Sequence, residues 1–199
     1  MPAGAIVTPG RWIGAGWNIV RLDLGNYILM TVMALALAMV GSFIVAGPLI
    51  AGLFISVRRR MLEGRTELGD LFSGFNYFID AFLIFILLTI FTLAGLVFLV
   101  LPALVVLALY LFPFIFLVDR KLSFWDAMEE SRKLVFQDLL GWVLFVILLI
   151  LLNLVGLMVL GIGMLITIPV TAGAIAAAYR DVVGFYYRPM ESKGPVVIP

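Results

Sequence analysis

The stretch that most constrains this chain runs from Ala81 to Val118: 38 consecutive residues without a charged side chain, dense in Phe, Leu, Ile and Val. As one helix it would be about 57 Å long at 1.5 Å per residue. A bilayer's hydrocarbon layer is about 30 Å thick and takes about 20 apolar residues to cross. The stretch is too long for one crossing and about right for two. Uncharged blocks of 34 residues (Leu24 to Val57) and 41 residues (Leu139 to Tyr179) flank it. Only 13% of the chain is charged and 64% is hydrophobic, against about 25% charged in soluble domains. A soluble fold of this size could not hide so much apolar surface. The predicted class is all-α, a polytopic transmembrane helical bundle.

The first block is the ambiguous one. As a single helix it would span about 51 Å, but Gly41, Ser42, Gly47 and Pro48 offer places to turn or kink. Two short helices, roughly Leu22 to Val40 and Phe43 to Val57, fit its length. Charge placement favours the pair. All thirteen basic residues fall in four segments: Arg11 and Arg21; Arg58, Arg59, Arg60 and Arg65; Arg120, Lys121, Arg132 and Lys133; and Arg180, Arg188 and Lys193. If each block is a hairpin, these segments and every acidic residue lie on one side. Lys and Arg in short loops favour the cytoplasm. The expectation is about six helices in three hairpins, in a multi-pass protein of the cell membrane with both termini cytoplasmic. The alternative is five transmembrane helices plus an N-terminal interfacial helix. A flexible tail at 1–10 and a disordered tail at 189–199 are expected to flank a single domain over 11–188, with no leader peptide ahead of it.

Between the blocks, short elements mark the membrane surface. Trp12, Ile13, Trp17, Ile19, Val20, Leu22 and Leu24 recur among polar residues, as in a helix lying in the interface with Trp12 and Trp17 at headgroup depth. Arg58, Arg59 and Arg60 read as anchors for topology or lipid headgroups. Glu63, Glu67 and Asp70 follow at helical spacing, on an expected solvated face. The central block is expected to cross as Phe78 to about Phe98 and about Leu101 to Val118, turning near Leu99 to Pro102. Ser123 to Asp126 reads as a capping box opening an amphipathic surface helix, with Trp125 and Trp142 marking its depth. The last block is expected to turn between Asn153 and Gly163. Pro48 and Gly52 are echoed at the same spacing by Pro169 and Gly173, a weak internal repeat.

The composition excludes much chemistry. There is no Cys and no His, so thiol nucleophiles, imidazole acid–base groups and the usual transition-metal ligands are missing. There is no basic stripe with interleaved aromatics for nucleic acid, no phosphate-binding loop and no nucleophile elbow. No cofactor, metal or catalytic set is expected. Ionisable groups deep in a membrane usually mark function, yet here they stand at block ends. Asp80, Asp119 and Asp138 are candidate ligand or ion sites that could meet at neighbouring helix mouths and pair with Arg58, Arg120 or Arg180. Asn153, inside a block, would need a cross-helix partner if helical. Arg180 completes the candidates.

Gly16-Trp17, Gly47-Pro48-Leu49-x-x-Gly52, Asp70-Leu71-Phe72-x-Gly74-Phe75, Asp119, the Ala127 to Ser131 segment, Pro169-x-x-x-Gly173 and Tyr179-Arg180-Asp181 together resemble poorly characterised prokaryotic integral membrane families. These include families related to the membrane-anchoring domain beside some glycerophosphodiester phosphodiesterases and to YciC-like proteins. The resemblance covers residues 14 to 185. It implies a roughly six-helix bundle without an assigned activity of its own, and no phosphodiesterase activity comes with it.

The function expected from these features is that of a structural or scaffold component of a membrane complex, not an enzyme. Its partners would be membrane lipids, and other membrane proteins or a second copy of the chain. A small transporter or lipid-handling protein is the alternative, favoured by a polar path through Asp80, Asn153 and Thr171. A scaffold would expose the small-residue face from Ala172 to Ala178. An interface enzyme would gather Asp70, Asp80, Asp119 and Arg180 around one pocket.

Overall fold

Backbone polar groups inside a bilayer are satisfied only within helices or closed barrels, and this chain uses helices. The computed structural model describes residues 7–41, 43–97, 100–159 and 161–186, and among these it has helices and no strand. The α-helices are α1 (Pro9–Arg21), α2 (Leu24–Gly41), α3 (Phe43–Glu63), α4 (Gly69–Ser73), α5 (Phe78–Val97), α6 (Val100–Leu109), α7 (Pro113–Arg120), α8 (Phe124–Val135), α9 (Leu139–Met158) and α10 (Met164–Val182). Gly69–Val97, Leu101–Arg120, Phe124–Met158 and Met164–Val182 are each long and apolar enough to cross a membrane. α1 with the described part of α2 makes a fifth such stretch if that pair, bent by 96°, is one span.

Each uncharged block folds back on itself. In the first, Asp23 approaches Arg60 (3.8 Å), and Ser56 donates to the Met30 sulfur (3.4 Å), so residue numbers fall on α2 as they rise on α3. That is an antiparallel pair of helices, though α3 is not itself among the four or five stretches long and apolar enough to cross, against the six expected. In the second, Gly95 packs on Ala103, and the Phe91 and Tyr110 rings lie 5.7 Å apart. In the third, Gly156 meets Thr167, and Asn153 meets Thr171. The far turns carry no charged residue. Outward faces of α5 and α9 are greasy: Ile79, Ile90, Leu93, Leu140, Leu144, Leu151 and Val155 are all exposed. Such a surface suits lipid and is far too apolar for water.

Several boundaries differ from the sequence reading. The first helix begins at Pro9, inside the expected tail, because proline at the first helical position gives up no bond. Residues 1–6 and the expected tail at 189–199 lie outside the described residues, as do Phe98, the expected end of the first central crossing, and Leu99 of the expected turn; Leu101 and Pro102 are already helical. α3 runs past Val57 through the three arginines to Glu63. The second crossing of the central block is broken at Tyr110 to Phe112, where Pro113 restarts the helix as α7. Ser131 of α8 stitches this break: its hydroxyl donates to the Leu109 carbonyl (2.8 Å) and accepts from the Phe112 N–H (3.1 Å). The last turn, by contrast, falls inside its expected window, after Met158, which leaves Asn153 helical.

The echo of Pro48-Gly52 in Pro169-Gly173 has a packing meaning. Both prolines sit inside the second leg of their hairpin, in α3 and α10. The glycine one turn later in each lets another backbone approach. Gly52 lies against Leu71 and Gly74, and Gly173 lies against Gly16 of α1.

Candidate functional site

The capping chemistry comes first, because it accounts for two candidates. Ser123 caps α8, accepting from the Asp126 N–H (3.3 Å), as the capping box requires. Asp80 reaches the same helix end from α5 and accepts the Phe124 N–H (3.0 Å). Asp138 caps α9 by accepting the Gly141 N–H (3.0 Å). Carboxylates at helix N-termini satisfy orphan donors and the helix dipole, and this is what Asp80 and Asp138 do.

Asp119 has a different setting. Its side chain is fully buried, beside Arg58 Nε at 2.7 Å. The Tyr179 hydroxyl donates to it (3.0 Å), and so does the Tyr186 backbone N–H (3.0 and 3.2 Å to the two oxygens). Arg58 also donates to the Tyr186 carbonyl (3.0 Å) and lies over the Phe185 ring. Gly184, with φ of +79°, turns the chain after α10 so that Phe185 and Tyr186 can fold back. A buried charge is tolerated when paired and fully hydrogen-bonded, and here four elements combine to do so.

Successive helical residues point about 100° apart, so the three arginines of α3 face three ways. Arg59 turns to Asp70 and reaches Glu67 (3.3 Å). Asp70 is therefore buried, 1% exposed, and not on the solvated face its spacing suggested. It also accepts the Glu67 N–H (3.1 Å). Arg60 donates to the Gly64 carbonyl (2.6 Å) and lines a surface pocket of about 350 Å³ with Arg180 and Asn18. Arg180 itself pairs with Asp181 (3.0 Å), which also takes Arg11 and the Trp12 indole N–H (3.0 Å). Exposed Arg65 binds Glu63 (3.0 Å), and this hydrogen bond and the Glu63 charge raise its pKa further.

The tryptophans divide. Trp12 and Trp142 are 2% exposed each and stack at 5.2 Å, with Phe145 and Phe112 edge-on to them. They belong to the core that ties α1, α7 and α9 together. Trp17 and Trp125 present their rings outward, at 43% and 60% exposure.

Asp70, Asp80, Asp119 and Arg180 thus occupy four separate places and share no pocket. Among the described residues no three acidic side chains gather as metal ligands would. The Ala172 to Ala178 face is buried, part of α10 being covered by α1 through Gly16.

The remaining candidate lies deeper. Asn153 donates to the Leu149 carbonyl (2.8 Å) and across to the Thr171 hydroxyl (2.7 Å). This is the cross-helix partner that a helical Asn in a membrane needs. The pair borders a cavity of about 400 Å³ between α3, α5, α6, α7, α9 and α10. Tyr110 lines it, and the rest of the wall is apolar, including Phe54, Phe114 and Ile175. Phe54 and Ile175 stand one helical turn before Arg58 and Tyr179, and none of Arg58, Asp119 and Tyr179 lines the cavity. Asp80 is not part of this wall; its carboxylate is turned to the start of α8 instead. Sequence reasoning found Asn153 but had no signal for the cavity, which apolar residues from five other helices create. Comparison with protein-family models, with curated proteins and with solved structures finds no match.

Proposed function

We propose that this is a multi-pass protein of the cell membrane that holds an uncharged, lipid-like amphiphile between its helices, with its charged end in the cytoplasm. The observation that carries the reading is the cavity beside Asn153 and Thr171. Its size, about 400 Å³, falls within the range of small-molecule sites, and such sites are mostly apolar with a few placed polar groups. No charged side chain lines it, so the ligand carries a hydroxyl or carbonyl and no net charge at that depth. The lipid-handling alternative is preferred to a scaffold because the small-residue face is occupied within the chain. Of the motif residues that carry the resemblance, Gly47, Gly52, Gly74 and Gly173 sit at close backbone contacts, which gives them a packing role.

A diazirine-bearing long-chain alcohol tests the reading. In detergent-purified protein it is expected to label α9 and α10 near Asn153, and excess unlabelled alcohol should compete. Leu88→Trp, which fills the cavity, should reduce labelling at least several-fold. Even labelling of outward residues such as Leu151, unchanged by Leu88→Trp, overturns the proposal.

Topology has its own test, made clean by the absence of Cys. Cysteines introduced at Gly10 and Arg65 are expected to react with an impermeant maleimide only from the cytoplasmic side, and one at Ile162 only from the other. Reaction of positions 10 and 65 from opposite sides would sink the three-hairpin arrangement.

A further inference from the structure

The pocket lined by Arg60 and Arg180 has no part in the cavity and carries an independent inference. Its wall holds two guanidinium groups and the Asn18 amide, and no carboxylate. Two carboxylates stand nearby, outside the wall. Asp181 is shared between Arg180 and Arg11, and Asp23 reaches only the edge of Arg60 at 3.8 Å. A guanidinium has five N–H donors. Arg60 spends one on Gly64, and Arg180 spends two on Asp181, so donors remain on both for a further anion.

Depth identifies the anion's source. Arg60 stands three residues beyond Val57, the end of the first uncharged block, and Arg180 directly follows Tyr179, the end of the last. Both guanidiniums therefore lie where the apolar length of the bundle gives way to headgroups. The other wall of the pocket is the end of α1 and its exit, with Ile19 and Leu22; Leu22 is 68% exposed. Trp17 on the same helix also points outward. A free phosphate ion has no use for that apolar rim, whereas acyl chains do. Arg binds phosphate through its planar fork, and anionic lipid attracts basic residues at the membrane surface.

We propose that Arg60 and Arg180, assisted by Asn18, bind the phosphate of an anionic phospholipid whose acyl chains run down over Ile19 and Leu22. Protein in nanodiscs of mixed phosphatidylglycerol and phosphatidylcholine tests this, with lipids retained after extraction read by native mass spectrometry. The wild type should retain phosphatidylglycerol selectively. Arg60→Gln with Arg180→Gln should weaken that retention roughly thirty-fold, two basic contacts being lost. Arg180→Gln alone, at a half-exposed position, should weaken it several-fold and serves if the double variant fails to fold. Arg132→Gln, which removes a surface charge on α8, should leave it unchanged. Equal loss in Arg132→Gln, or full retention in Arg180→Gln, overturns the assignment. So does displacement of the lipid by millimolar inorganic phosphate, which would make the pocket a site for the free anion.

Discussion

Asp119→Ala is expected to cost about 3–5 kcal/mol of stability, the usual penalty for removing one partner of a buried ion pair. The change strands three donors at once: Arg58 Nε, the Tyr179 hydroxyl and the Tyr186 N–H, all of which now end on one carboxylate. Tyr179→Phe removes a single bond to that carboxylate and should cost about 1.5–3 kcal/mol at most. Arg58→Met combined with Asp119→Leu should recover only the part due to the unpaired Arg58 charge, because the Tyr179 hydroxyl and the Tyr186 N–H still lose their acceptor. Unfolding by denaturant in mild detergent measures all three. A loss below about 1 kcal/mol for Asp119→Ala would mean that the cluster is wetter than its burial implies.

The second large effect is expected at Gly52. A Cβ there would overlap the backbone carbonyl of Leu71, and the facing Gly74 is pressed just as closely against Pro48 and Gly52. Backbone cannot move aside as a flexible side chain can, so α4 would have to shift and draw Asp70 away from Arg59. Gly52→Ala should therefore cost about 1–3 kcal/mol for the overlap, plus part of the Arg59–Asp70 pairing. Gly14→Ala is the matched control. Nothing lies within 4 Å of its added methyl, and replacing a helical glycine by alanine in open space should gain about 0.5–1 kcal/mol. Equal effects at the two positions would refute the packing argument.

Much of the bundle was legible from chain length and charge alone. Uncharged blocks of 38 and 41 residues are long enough to cross a bilayer twice, the 34-residue block was open to one crossing or two, and Ser123 with Asp126 announced the start of α8. Asp70 was misplaced because its helical spacing from Glu63 and Glu67 assumed a continuous helix. α3 ends after Glu63, where Gly64 takes a φ of +72°, and Asp70 belongs to the next helix. The Trp12 face was misjudged for another reason. Amphipathic spacing separates two faces but does not say whether the apolar one meets lipid or protein. The interruption before Pro113 was hidden because its repair comes from Ser131, on another helix. The Asp119 cluster was half visible: Arg58 was a named partner, but Tyr186 contributes through its backbone, which no side-chain pattern encodes.

The packing of α1 on α10, through Gly16 with Gly173 and Arg11 with Asp181, has a consequence for biogenesis. α2 to α9 lie between the two helices in sequence, so α1 is made well before the helix it packs on. At roughly 5–20 residues per second, on the order of 10–30 s pass between them. During that interval α1 has to rest somewhere without aggregating, and its one polar face lets it float at the membrane surface meanwhile. The groove it will fill does not exist until α10 has been made. The contact between α1 and α10 thus forms only after the helices between them have been made, and it draws the two ends of the described chain together.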